Sequence, residues 1–185
     1  HPDNPYACGK VFTLHQVRLY REAYGLHASN GILFNHESPR RGDNFVTRKI
    51  TRGLARIVAG RQDKLLLGNL DARRDWGHAK DYVEAMWMML QQASGDDYVI
   101  ATGKSHRVQD FLDASFGLLG LDWSEHVHID PTLLRPVDVS EFIGDSTKAR
   151  QAFGWEPKIS LQDLACEMVR ADLLHEGVDP APFGL

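Results

Sequence analysis

Cysteine is nearly absent from this chain, and the scarcity excludes two structural classes. Its two cysteines, Cys8 and Cys166, stand far apart and match no metal-ligand or redox spacing, so neither a disulfide scaffold nor a zinc module fits. Long apolar runs are also missing: no stretch approaches the roughly 20 residues that cross a bilayer, and no signal-peptide pattern appears. An excess of positive charge is lacking too. The net charge of −4 excludes the usual electrostatic footprint of a nucleic-acid or membrane-surface binder. His126 and His128 alternate as metal ligands on a strand could, but no third ligand stands nearby, and no metal is expected. Reduced thiols and the absence of leader or span point to a cytoplasmic protein with neither a nucleic-acid nor a membrane partner.

What remains is ordinary globular composition, 43% hydrophobic and 25% charged over 185 residues, enough to bury a core. The opening stretch Asn4-Pro5-Tyr6-Ala7-Cys8-Gly9-Lys10 carries the first chemistry. Asn4 suits a helix N-cap and Pro5 the first helical position, so a helix should run from Pro5 to about Tyr24 and stop at Gly25. Tyr6 and Lys10 then share one face. A phenol is a poor base at neutral pH, but a neighbouring ammonium favours its ionised form, which can take a hydroxyl proton. The chain begins at His1 with this pair already in a helix, and it is read as the C-terminal portion of something longer.

Ala28 to Asn35 reads as a buried strand, and helix followed by strand suggests an α/β fold with a parallel sheet. Ligands in such sheets sit beyond the strand C-termini, which places Asn35 and His36 near one. The loop from His36 to Asp43 holds Arg40 and Arg41, whose guanidinium forks match phosphate oxygens. A helix from Phe45 to Ala59 should bury Ile50, Leu54, Ile57 and Val58. Lys64 to Leu67 reads as a strand, and Gly68 to Gly77 as a second basic loop containing Arg73-Arg74-Asp75-Trp76, either a structural salt bridge packed on an indole or a guanidinium offered to an anion. Ala79 to about Gln92 reads as a helix burying Val83, Met86, Trp87 and Leu90.

Further on, Tyr98 to Ala101 is a short strand, Val108 to Leu119 a helix, and His126 to Asp130 an edge strand. Asp145 is positioned to cap a short helix ending at Phe153, Ser160 opens a last helix reaching about His175, and the tail from Gly177 reads as extended.

Several blocks resemble the GDP-mannose 4,6-dehydratase family of extended short-chain dehydrogenase/reductases. They are Asn30–Gly42 (NGILFNHESPRRG), Phe45–Arg52 (FVTRKITR), Leu67–Tyr82 (LGNLDARRDWGHAKDY), Trp87–Gln92 (WMMLQQ) and Val99–Gly103 (VIATG). The resemblance runs in order over nearly the whole chain, and its NHESPRRG block is the most specific. It implies part of an NAD(P)-binding Rossmann-type fold plus a smaller α/β substrate-binding domain. Residues 1 to about 36 would end the Rossmann domain; about 37–185 would form mainly the substrate domain, with some segments returning. It implies NADP-dependent dehydration of GDP-D-mannose to GDP-4-keto-6-deoxy-D-mannose, on the route to GDP-fucose and related sugars.

By the same resemblance Tyr6 and Lys10 are catalytic and touch the cofactor. His36 and Arg41 match cofactor contacts, and Asn35, Lys49, Arg74, Arg135 and Asp138 match contacts to the GDP-sugar. Family members are dimers or tetramers in which the arginine loop reaches a neighbouring protomer. The chain reads Y-A-C-G-K where the family usually has Y-A-V-A-K. The family's glycine-rich cofactor loop and its Thr/Glu catalytic pair have no counterpart, so the chain alone is expected to be inactive and to fold poorly. Competing readings are another extended reductase acting on a nucleotide sugar (a dTDP-glucose dehydratase, an epimerase or a GDP-4-keto-6-deoxymannose reductase), or a non-catalytic chain that assembles with a partner.

Overall fold

The computed structural model describes residue 2, residues 4–134 and residues 141–185. Helix α1 (Pro5–Tyr24) has the expected bounds: Asn4 Oδ1 accepts from Ala7 N at 2.8 Å, and Gly25 ends it in the left-handed region at φ 61°. None of its residues is buried, so polar contacts fasten it. Asp97 receives Arg18 Nε at 2.5 Å, Arg21 Nη2 at 2.7 Å and Asn30 Nδ2 at 2.7 Å, while Asn30 Nδ2 also reaches Leu14 O at 3.2 Å.

The strand read across Ala28–Asn35 is two strands with different partners. β1 (Asn30–Leu33) pairs in parallel with β6 (Asp97–Ile100), and β2 (Asn35–Glu37) pairs in parallel with β5 (Trp76–His78). The break has a local cause. After Ile100 the chain turns away at Gly103 (φ 73°), so the line continuing past Phe34 must find a new neighbour. β1 is also not buried, because it has one strand neighbour among the described residues and α1 gives it no buried side chain.

The basic loop at 68–77 likewise contains two strands, β4 (Arg73–Arg74) and β5. β4 runs antiparallel to β7 (His106–Arg107), and β3 (Leu65–Leu67) pairs in parallel with β8 (Val127–Ile129). Strands of two or three residues are too short to show a period, and their partners are distant in sequence.

Helix α2 (Val46–Val58) buries Ile50 and Leu54 against α4 (Val108–Gly117) and α6 (Leu161–His175), with Phe111, Phe116, Leu164 and Met168 in the same core. A second cluster joins Tyr82, Ala85 and Met89 of α3 (Ala79–Leu90) to Tyr98, Ile100 and Trp155. Here the expected face is wrong: Val83, Met86, Trp87 and Leu90 are 37–63% exposed, and the opposite stripe is inside. Polar contacts set that rotation. Asp81 Oδ2 accepts from Lys158 N at 2.9 Å and Ile159 N at 3.0 Å, and Trp155 Nε1 donates to Asp81 O at 2.8 Å. α5 (Thr147–Phe153) is preceded by Ser146 at the N-cap, with Asp145 Oδ1 accepting from Thr147 N. The tail is not simply extended: Val178, Phe183 and Leu185 pack on the first core around a short 3₁₀ turn, Ala181–Phe183. Among the described residues no helix is long and apolar enough to cross a membrane.

Burial works against the Asp97 carboxylate, but hydrogen bonds from Arg21, Asn30 and Arg18 outweigh it and hold its pKa down to about 2. A depressed acid contributes stability above its unfolded pKa, near 4, and loses it as pH falls through about 2. α1 should therefore detach below pH 4 before the helical core melts. Asp97→Ala at neutral pH should loosen it by roughly 1–2 kcal/mol, read as faster amide exchange over residues 8–21 with α4 and α6 unchanged.

Candidate functional site

The described residues form an open cavity of about 470 Å³ where β2, β4, β5 and the start of α2 meet. Asn35, Phe45, Lys49, Asn69, Arg74 and Trp76 line it. Each arrives there for a local reason. Asn35 opens β2 opposite Trp76 in the parallel register, and Arg74 ends β4 two residues earlier on the same chain. Phe45 is the N-cap of α2, and no side chain caps that end.

The electrostatics of this corner are one-signed. The first turn of α2 exposes backbone N–H groups, carries the positive end of the helix dipole and holds no acidic residue. Lys49 stands in that same turn, where a cation is unfavourable for the helix by a few tenths of a kcal/mol. Arg74 adds a second cation to the wall. Its Nη1 donates to Arg73 O at 2.7 Å, and its guanidinium carbon lies 5.4 Å from the centre of the Phe142 ring. An anion bound here would meet donors from three separate segments.

On the flank, Glu37 is 1% exposed and accepts from Thr47 Oγ1 at 2.5 Å. Burial pushes its carboxyl above the usual range, with the Thr47 hydrogen bond and Arg41 pulling it back. Arg41 Nε lies 3.2 Å from Glu37 Oε2, and its guanidinium covers the Phe45 ring at 3.4 Å. His36 pairs Nδ1 with Phe34 O at 2.8 Å and stacks on Tyr82 at 5.0 Å, which leaves Nε2 as its outward nitrogen. Burial, reinforced by Asp75, Asp81 and Glu37, pushes the Tyr82 phenol far up, so it stays protonated at neutral pH.

Three of the residues singled out in the sequence, Asn35, Lys49 and Arg74, therefore meet at one cavity, and His36 and Arg41 stand beside it. Tyr6 and Lys10 do share a helical face, with Lys10 Nζ 5.4 Å from the Tyr6 ring centre, but neither lines the cavity, and Tyr6 is 74% exposed. Arg135 and Asp138 lie outside the described residues. Sequence reasoning missed Phe45, Asn69 and Trp76 as wall residues. Asp75, read in the sequence as an arginine's structural partner, is fully buried between Arg74 and Trp76, and its carboxylate receives donors from Thr102, Gly103 and Gly144.

Comparison with known proteins gives this geometry a context. Residues 1–168 match the family described as GDP-mannose 4,6 dehydratase. GDP-mannose 4,6 dehydratase 1 of Arabidopsis thaliana is 58% identical over 173 residues, covering 94% of this chain and 48% of its own. The GDP-mannose 4,6 dehydratase of Homo sapiens is 48% identical over 190 residues, covering 94% and 51%. The chain thus spans about half the length of the curated relatives it matches. Among solved structures, RMD from Pseudomonas aeruginosa complexed with NADPH superposes with a TM-score of 0.87 at 21% identity, over 95% of this chain and 58% of that one. The dTDP-glucose 4,6-dehydratase from Bacillus anthracis in complex with NAD gives 0.82 at 20% identity, over 99% and 56%. At such identities the likeness is one of fold, and the α/β Rossmann-type class expected from the sequence is the class found.

If the cavity takes an anion, Lys49→Ala and Arg74→Ala should each weaken binding of inorganic pyrophosphate about tenfold or more, with steep loss at high salt. Titration calorimetry reads both; affinities unchanged in the two variants would remove the cavity as an anion site.

Proposed function

From the premise that this chain belongs to the GDP-mannose 4,6-dehydratase family, we propose that it carries the sugar-nucleotide site and the tyrosine–lysine pair of an enzyme converting GDP-D-mannose to GDP-4-keto-6-deoxy-D-mannose. The observation that carries this reading is the convergence of Asn35, Lys49 and Arg74 on one cavity at the uncapped start of α2. A diphosphate needs several convergent donors and cations, and that corner supplies them. Arg135 and Asp138 join the same role by resemblance.

Residues present here also suit a dinucleotide. His36 lies within β2 and Arg41 just beyond its C-terminal end, the end of the line where open parallel sheets bind such ligands, and the exposed Tyr6 and Lys10 leave their polar atoms available. His36, Arg41, Tyr6 and Lys10 would hold NADP, which when bound supplies a hydride acceptor for sugar C4 and a donor for C6. Tyr6 takes the proton of the C4 hydroxyl, and Lys10 steadies that phenol and the nicotinamide ribose. His36, fixed through Nδ1, presents Nε2 to the cofactor side.

Residues up to about 36 are assigned to the end of the Rossmann domain and most of the remainder to the substrate domain. The second edge of β1 has no partner among the described residues. That edge is where the rest of a cofactor-binding sheet would pair. The arginine loop after His36 is assigned to subunit contact in a dimer or tetramer, and the free thiols of Cys8 and Cys166 suit the cytoplasm.

The test is product analysis with GDP-mannose and NADP. The 185-residue chain alone should show no turnover, and joined to a cofactor-binding half from a relative it should form the 4-keto-6-deoxy product. In that assembly Tyr6→Phe should cut kcat about a thousandfold with little change in KM. Turnover of dTDP-glucose instead of GDP-mannose overturns the substrate, and full activity of the isolated chain overturns the need for a second half.

A further inference from the structure

We propose that Asp75 is the positioning residue for Arg74, an inference that rests on the sugar-nucleotide reading above. Three consecutive residues of one strand segment each hold one residue of the stretch 141–144. Arg73 Nε meets Glu141 Oε1 at 3.0 Å. The Arg74 guanidinium faces the Phe142 ring at 5.4 Å. Asp75 Oδ2 accepts from Gly144 N at 3.2 Å.

The Asp75 carboxylate does more than this single tie. Oδ2 also accepts from Gly103 N at 2.9 Å, and Oδ1 accepts from Thr102 N at 2.9 Å and Thr102 Oγ1 at 2.6 Å. Four donors from two distant segments thus converge on one fully buried acid, which balances the cost of burying its charge. Gly144 is wedged where no side chain fits: a Cβ there would lie 2.3 Å from Ala101 Cβ and 2.9 Å from the Phe34 ring. The 141–144 stretch is therefore clamped between Asp75 and the end of β6. Phe142, the surface against which the Arg74 guanidinium rests, is placed by that clamp.

Only a carboxylate satisfies the arrangement. An asparagine has one acceptor oxygen and an NH₂ group, so either the Thr102 pair or the Gly103 and Gly144 pair would face a donor. Loss of the Gly144 tie leaves the stretch on its Arg73 contacts, the Glu141 pair and the Phe142 N bond to Arg73 O at 3.4 Å, so the Phe142 ring shifts beneath the Arg74 guanidinium while the Arg74 bond to Arg73 O remains. Tyr6 and Lys10 lie elsewhere, so the chemical step itself is untouched.

In the enzyme assembled with its cofactor-binding half, Asp75→Asn should raise the KM for GDP-mannose about tenfold while kcat stays within about twofold. Amide exchange at Phe142, Ile143 and Gly144 should quicken, with α6 unchanged. Phe142→Ala, at an exposed position that does not disturb the buried acid, should raise KM about threefold or more, again with kcat preserved. A KM unaltered in Phe142→Ala, or a loss confined to kcat in Asp75→Asn, overturns the positioning role. Arg74→Ala separates the two levels. If it raises KM while Asp75→Asn and Phe142→Ala do not, only this inference fails; if Arg74→Ala leaves KM unchanged as well, the sugar-nucleotide reading fails with it.

Discussion

The site depends on the parallel pairing of two three-residue strands, β2 and β5. Their register sets Asn35 opposite Trp76 and brings the β4–β5 segment, with Arg74 and Asp75, alongside the line that descends from β1. The pairing tolerates little. A Cβ on Gly77 would lie 2.4 Å from the Tyr82 ring, which in turn stacks on His36. One glycine therefore lets the second hydrophobic cluster, His36 and the cavity wall occupy adjoining space. The pairing itself is worth little in isolation, since so short a ladder has few hydrogen bonds; the packing of Tyr82 and Trp155 around it supplies the cohesion.

Buried acids recur as the fasteners of this fold. Asp75 gathers the turns at 102–103 and 144, Asp81 binds the start of α3 to the chain before α6, and Asp172 on α6 accepts from Thr51 at 2.7 Å and meets Arg48 of α2 at 2.7 Å. Each lies where elements remote in sequence meet. Breaking a buried ion pair such as Arg48–Asp172 typically costs about 3–5 kcal/mol, against a few tenths for a solvated pair. The protein thus concentrates its polar cohesion at a few interior points.

What could be read in the sequence follows from how local each signal is. α1 was legible at both ends because Asn4, Pro5 and Gly25 act within a turn of the backbone they terminate. The apolar stripes of α4 and α6 were legible because a single long core face dominates each. α3 was not, since two of its faces are apolar and the choice falls to Asp81 and Trp155, contacts from 74–78 residues away. β4 and β5 are too short to carry a pattern. Among the cavity residues Asn35 was legible from the rule that ligands sit beyond strand C-termini, while Lys49 and Arg74 were named by family resemblance; spacing alone offered only a polar loop and two basic stretches. Asp75 was legible only as a structural acid beside arginines, because three of the four donors it collects are backbone amides, which look alike at every position.

The uncovered border of β1 has one more consequence. Asn-Gly-Ile-Leu carries neither lysine nor proline, the residues that keep a bare strand from recruiting another, and Ile32 already faces solvent. Such a border, bare among the described residues, is a template on which a further strand can pair, so solubility at high concentration depends on something else occupying it first.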